Sequence, residues 1–338
     1  TGDTLFIGDV GRPDLAQKVI ADLTQDKLAR HLYHSLRNKI MPLSDDITVY
    51  PNHGQGSACG KNMSSETTDS LGNQKKTNYA LQPMSEDEFV SQVLDGLMPP
   101  PNYFPQNVMI NIQGYESLDK VLEQGTKALS PREFELVAEE TEALILDTRS
   151  EDAFREGYIP NSIFIGINGS FATWVGTLIP DVKQPLLIIA DEDKIEEVIT
   201  RLARVGYDNA KGYLKGGFKG WKEKGKDFDV VNSVNVDELA SLSEGTIVDV
   251  RKASEYLSEH IVNAVNAPLD YINESMKKIV AEGKHYIHCA GGYRSLIFIS
   301  ILQSRGYRNL VDVKGGFEKI KPSNKFELTD YVCPTTLL

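Results

Sequence analysis

His285-Tyr-Ile-His288-Cys289-Ala-Gly-Gly-Tyr-Arg294-Ser295, followed by the apolar run Leu296 to Leu302, decides the fold. It reads as a short β segment, a glycine-bearing loop that begins at a cysteine, and a helix running to Gly306. In such a strand–loop–helix, successive backbone N–H groups curl toward one point and the helix N-terminus adds positive potential. A thiolate is stabilised there, and an anion can dock beside it. Cys289 is therefore expected to be a nucleophile, more acidic and more reactive than a free thiol. Ala290, Gly291, Gly292 and Tyr293 would form the substrate cradle. Arg294 would orient an oxyanion, and Ser295 would cap the helix or share a hydrogen bond with the sulfur. A lone cysteine at a strand end is ordinarily a packing residue. The Gly-Gly pair and the arginine at this position favour covalent chemistry instead.

Working outward, the pattern around this loop occurs twice. Ile145-Leu-Asp147-Thr-Arg149 matches Ile247-Val-Asp249-Val-Arg251 at an offset of 102 residues, as Asn161-Ser matches Asn263-Ala. Gly206-Tyr207 matches Gly306-Tyr307, and Lys215-Gly-Gly-Phe218 matches Lys314-Gly-Gly-Phe317. Two tandem domains of one fold follow, over 123–230 and 231–338. Short apolar strands alternate with helices in each, which predicts an α/β architecture with a parallel sheet and reactive loops at the strands' carboxyl ends. Asp249 and Arg251 read as a folding ion pair with Glu255 as a further partner, and His260 as a structural hydrogen-bonding residue. Counting back from Gly206-Tyr207 sets Ile189 opposite Cys289 and Lys194 opposite Arg294. That loop has no thiol and no glycine, and its three carboxylates would repel an anion. The first repeat is therefore expected to be inactive, a docking or spacing unit. Trp174 and Trp221 are expected in a core or interface.

The Cys-x-x-Gly-x-Arg form of the loop resembles the rhodanese family of sulfurtransferases. A His-Cys…Arg-Ser signature is also similar to that of cysteine phosphatases, but their loop is one residue longer; here only Ala290 to Tyr293 intervene. The rhodanese resemblance implies that Cys289 carries a transferable sulfur atom, taken from thiosulfate or a small-molecule thiol persulfide.

The first 122 residues have a different character. Thr1 to Ile7 reads as a strand, about Leu15 to Lys39 as a helix, and Asp46 to Tyr50 as a strand leading into a glycine-rich loop with His53 and Cys59. Asn62 to Thr77 reads as a polar surface loop. Ser85-Glu-Asp-Glu88 starts a capped helix, Met98-Pro-Pro-Pro101 stops it, and a short helical piece spans Gln106 to Ile112. Thr-Gly-Asp-Thr-Leu-Phe, Gly-Arg-Pro-Asp-Leu and Tyr-Pro-Asn-His-Gly together resemble the second half of the metallo-β-lactamase (αββα) fold, most closely its persulfide dioxygenase branch. The resemblance implies metal ligation by Asp3, a place for His53 at the metal centre, and Arg12 and Asp14 beside the substrate pocket. The family's His-x-His-x-Asp-His motif precedes Thr-Gly-Asp and is not in this sequence. A partial lactamase-like domain is therefore expected, with iron or zinc belonging to the complete domain and none bound by this chain. The start at Thr1, without a Met, reads as a fragment or a cleaved chain.

The net charge of −12 and pI near 5.1 argue against a general nucleic-acid or anionic-membrane partner. Three cysteines in unlike settings give no disulfide framework, which fits a reducing cytoplasm. No apolar run approaches the roughly 18 residues of a membrane span. The leading expectation is a sulfurtransferase working through a Cys289 persulfide, in a parent protein that couples it to iron-dependent persulfide oxidation in sulfide detoxification. Two alternatives stand beside it: a zinc hydrolase of thioesters with the repeats as accessories, and a binding module with an unreactive Cys289. Self-association, or association with the missing N-terminal half, is implied by the lactamase-like resemblance. The role of Cys59 stays open.

Overall fold

The computed structural model describes residues 2–15, 23–55, 57, 59–61, 63–97, 103–280 and 282–333. The chain forms two compact units, Thr1–Gly114 and Tyr115–Leu338, so the first boundary falls earlier than expected.

In the first unit, the expected opening strand is replaced by isolated bridges, Leu5 to Val10 and Gly2 to Pro51. The reason is local: Gly8 sits at a φ of 76°, and the Phe6 N–H bonds back to the Asp9 carbonyl at 3.0 Å. The helix spans Gln25–Ser35 and continues as a π-turn over Leu36–Ile40. It starts later than expected because Thr24 is extended and its side chain accepts the Lys27 N–H, an N-cap; residues 16–22 lie outside the described residues. Strands β1 (Thr48–Val49) and β2 (Asp69–Ser70) pair antiparallel. The polar stretch after Asn62 is not all loop, because Ser70 caps a helix over Leu71–Thr77. Ser85 and Glu88 form the expected capping box on Glu86–Leu94, and the last helix runs Phe104–Gln113. Leu5, Val10, Leu36, Val49, Leu71 and Phe89 pack into one core.

The second unit holds two five-stranded parallel sheets. The first contains β3 (Ala128–Leu129), β4 (Leu144–Asp147), β5 (Ile163–Phe164), β6 (Leu186–Ile189) and β7 (Ala210–Leu214) in the order β3-β7-β6-β4-β5. The second contains β8 (Ser233–Val234), β9 (Thr246–Asp249), β10 (Val265–Asn266), β11 (His285–His288) and β12 (Leu310–Val313) in the order β8-β12-β11-β9-β10. The topologies are the same, and Asn161 and Asn263 both take left-handed φ values, 65° and 66°. The middle strands, β6 and β11, are buried throughout, as strands covered by helices on both faces must be. Strand order reverses between β9 and β11, so the chain leaving β11 opens into the crevice at a topological switch point.

Sheet register corrects the alignment of the loops. Asp147 pairs with Ile189, whereas Asp249 pairs with His288, so Ala190 and not Ile189 stands where the second repeat has Cys289. The first repeat's loop is shorter, which a count from the Gly-Tyr pair cannot detect. A helix over Leu118–Gly125 belongs to this unit; the Gln124 side-chain amide donates to the Ala210 carbonyl at 3.1 Å.

Candidate active site

The helix Tyr293–Ser304 begins directly after the loop, and its residues from Ser295 to Gln303 are all buried. A helix buried on every face needs apolar neighbours on every side. One side rests on its own sheet, and the other meets the first repeat at β5. Tyr293, Ser300 and Gln303, which fall on one helical face, bond to that repeat. The Tyr293 hydroxyl donates to the Gly166 carbonyl at 2.7 Å, the Ser300 hydroxyl accepts the Phe164 N–H at 3.0 Å, and Gln303 accepts from the Tyr158 hydroxyl at 2.8 Å.

Cys289 follows β11 and is 1% exposed. Its Sγ accepts the Gly292 N–H at 3.1 Å and lies 3.8 Å from Ser295 Oγ. Its carbonyl accepts from Phe317 N–H at 2.7 Å, and that of Ala290 accepts from Glu318 N–H at 3.0 Å. The turn at Gly315-Gly316 thus ties down the first half of the loop. Gly316 is required there, since its φ is 52° and a Cβ would collide with the Cys289 and Ala290 carbonyls. His288, immediately before Cys289, is fully buried; burial holds its pKa below the ordinary value, so it is neutral and is a packing partner of Phe317.

Ser295 Oγ lies 2.8 Å from Asp312 Oδ1 and 3.1 Å from the Gly292 carbonyl. Asp312 is fully buried on β12, and burial raises its pKa against the opposing pull of Arg155 and Ser295. Arg294 points its guanidinium at Glu255, with bonds of 2.6 and 2.8 Å. Burial would lower the Arg294 pKa, but the bonds and charge of Glu255, with Cys289 and Asp270 nearby, hold it above the ordinary value. Glu255 therefore bonds Arg294 directly, and the charge of Arg251 acts on it without a bond. The carboxylate of Glu318 stands near Gly291. The cradle is accordingly lined by one paired guanidinium and neighbouring carboxylates, less cationic than the motif alone implies.

Beneath the loop, Asp249 and Arg251 form the expected buried pair, at 2.6 Å, with the guanidinium 3.9 Å over the Phe317 ring. Asp147 and Arg149 repeat it in the first sheet. His260 bonds the Tyr256 carbonyl at 2.7 Å and stacks on that ring, a structural role as expected. In the first repeat, Glu192 of the carboxylate-rich loop accepts from Gly216 N–H at 3.1 Å. An acid thus bonds the turn of the thiol-free site from within its own repeat. Trp174 and Trp221 are buried.

With this geometry in place, comparison with known families decides the class: the rhodanese-like domain matches residues 130–224 and again 235–323. The chain belongs to the rhodanese family. Thiosulfate sulfurtransferase GlpE of Coxiella burnetii is 30% identical over 84 residues, 25% of this chain and 78% of GlpE. The adenylyltransferase and sulfurtransferase uba4 of Ogataea parapolymorpha is 32% identical over 94 residues, 27% of this chain; the match spans only 24% of uba4. Rhodanese domains and these relatives support sulfurtransferase activity. A metallo-β-lactamase from Staphylococcus aureus superposes with a TM-score of 0.50 at 29% identity, over 64% of this chain and 57% of that one. The architecture is therefore a metallo-β-lactamase-like N-terminal part and two rhodanese domains.

Four expected site residues outside the rhodanese loop occupy defined places. The bridge from Gly2 to Pro51 brings Asp3 Oδ1 within 3.3 Å of His53 Nε2. A carboxylate and an imidazole this close, both solvent-accessible, fit as part of a metal ligand set. Among the described residues no group of three such side chains stands close enough to hold a metal. Arg12 and Asp14 are bonded to each other, at 3.0 and 2.7 Å, with both side chains buried. In the rhodanese loop, the Tyr293 side chain corrects the expectation of a cradle wall: it leaves the cradle for the first repeat, and only its backbone remains in the loop. Arg155, Asp312 and the Glu255–Arg294 pair were not found by motif. An aspartate inside the apolar run Leu310-Val-Asp312-Val is the one signal that pointed there.

Proposed function

We propose that this protein moves a sulfane sulfur through a persulfide on Cys289, taking it from thiosulfate or a thiol persulfide. The observation that supports the reading most is the Cys289 sulfur seated on the Gly292 N–H at 3.1 Å, at the carboxyl end of a buried parallel strand. The Cys289 thiolate attacks the outer sulfur of thiosulfate and forms a new S–S bond. The old S–S bond breaks, and sulfite departs with its electron pair. A second nucleophile, such as cyanide or a thiolate, then removes the outer sulfur and restores the Cys289 thiolate. The Gly292 amide stabilises the anionic sulfur in both states. Intact-protein mass after incubation with thiosulfate tests this: a reducible gain of one sulfur atom is expected, absent in Cys289→Ala. No gain with Cys289 demonstrably reduced overturns it.

The finer reading couples this step to persulfide oxidation in sulfide detoxification. Asp3 and His53 would contribute to holding iron in the complete lactamase-like domain, and iron would supply the oxygen chemistry. Metal analysis of the complete protein checks this. Iron that falls on Asp3→Ala supports the reading; two zinc ions per chain favour thioester hydrolysis instead.

A further inference from the structure

The repeat without a thiol reaches into the repeat with one through a charged side chain. Arg155 lies at the end of the helix Glu151–Glu156, and its side chain is 11% exposed. Its Nε donates to Asp312 Oδ2 at 2.8 Å, across the boundary between repeats. The other oxygen of Asp312 faces the Ser295 hydroxyl at 2.8 Å, and Ser295 Oγ is the closest side-chain partner of the Cys289 sulfur. The far end of Arg155 approaches the Gly292 carbonyl at 3.5 Å, on the residue whose N–H holds that sulfur. A Cβ at Gly292 would press on this guanidinium, so the position is kept open for it.

We propose that Arg155 is a positioning residue for sulfur transfer, supplied by the inactive repeat, which fixes Ser295 and the Gly292 turn around Cys289 through Asp312. The chemistry of the chain is directional. Asp312 is fully buried, and a carboxylate there needs a cation beside it to stay ionised. An ionised carboxylate only accepts, so the Ser295 hydroxyl must give its proton to Asp312 or to the Gly292 carbonyl. With its proton committed in this way, Ser295 is held in one orientation 3.8 Å from the sulfur, and the Gly292 N–H is left to stabilise the anionic sulfur. Without Arg155, the buried Asp312 loses its charge-assisted partner, the Ser295 hydroxyl loses its fixed direction, and the turn carrying the Gly292 amide loosens. The repeat that lacks a nucleophile thus contributes to the order of the site.

This rests on the sulfurtransferase reading, and the test separates the two. Full-length wild type, Arg155→Gln, Arg155→Lys, Asp312→Asn and the Arg155→Gln/Asp312→Asn double variant are assayed for transfer from thiosulfate to cyanide. The rate of Cys289 carbamidomethylation by iodoacetamide, read by peptide mass, is measured in parallel, with thermal midpoints to control for folding. The expected result is a fall in kcat of about ten-fold in Arg155→Gln with KM changed less than about two-fold, the size of one lost charge-assisted hydrogen bond. Arg155→Lys recovers most of it, and the double variant loses no more than Asp312→Asn alone. Wild-type kcat in Arg155→Gln, no advantage for lysine, or losses that multiply in the double variant would overturn the proposal. If wild type itself transfers no sulfur, the sulfurtransferase reading fails, and alkylation decides alone. Cys289 reacting several-fold faster in Arg155→Gln but not in Arg155→Lys upholds positioning; equal rates in all proteins reject it.

Discussion

Glu255 and Arg294 show how one pair sets both charge and stability at the site. Burial would raise the Glu255 pKa, but the bonds and charge of Arg294 hold it below the usual carboxylate range. The stabilisation is therefore present above the ordinary glutamate value of about 4.3 and is lost as pH falls through the lowered value. Glu255→Gln should lower stability by about 1 kcal/mol at pH 7, a figure discounted because Glu255 is about a third exposed. Thermal midpoints of variant and wild type should converge as pH falls through the lowered Glu255 value. The same change frees the Arg294 guanidinium, so KM for thiosulfate should fall; an unchanged KM would mean that Arg294 does not meet the anion. The pair below the loop is stiffer. Removing one member, as in Arg251→Met, leaves Asp249 buried and alone and should cost about 3–5 kcal/mol, measured by urea denaturation.

At the scale of elements, the loop-bearing helix Tyr293–Ser304 has bonding partners in the other repeat along one face. Tyr293→Phe removes the 2.7 Å donor of the Gly166 carbonyl and leaves it the Gly169 N–H at 3.4 Å, and Ser300→Ala leaves the buried Phe164 N–H without its acceptor. Each should cost about 1–2 kcal/mol and lower the thermal midpoint by a few degrees. What the sequence discloses here divides by distance along the chain. The strand, the Cys289 turn and the Asp-x-Arg pairs are legible because each is made by residues near one another or repeated at a fixed offset, whereas Gly315-Gly316 is legible as a repeated pair and not as the support of the loop. Arg155 meeting Asp312 is not, because nothing in either segment specifies which surfaces of the two repeats touch. The Ile189 error has a similar origin: apolar strand residues look alike, and only hydrogen-bond register distinguishes Ile189 from Ala190. In the first unit, the helix Leu71–Thr77 was hidden by its Asn, Gln and Lys composition, with the capping Ser70 as its one visible signal.

For the whole molecule, the division between Gly114 and Tyr115 predicts separable behaviour. Residues 115–338 expressed alone should fold and retain sulfur transfer within about two-fold of the full chain. Residues 231–338 alone should not, because the buried helix face would meet water at Tyr293, Ser300 and Gln303; sedimentation and the cyanide assay check both. The helix buried on every side also constrains inheritance. A genetic exchange that cut the chain near 230 would give its recipient Cys289 with one raw apolar flank, and would leave the donor half with an arginine held by Asp152 of its own helix and no Asp312 to meet. An exchange near 114 would carry both sheets together. Domain shuffling should therefore treat the two repeats as one heritable piece, with the thiol-free copy kept for the surface and the charge it lends.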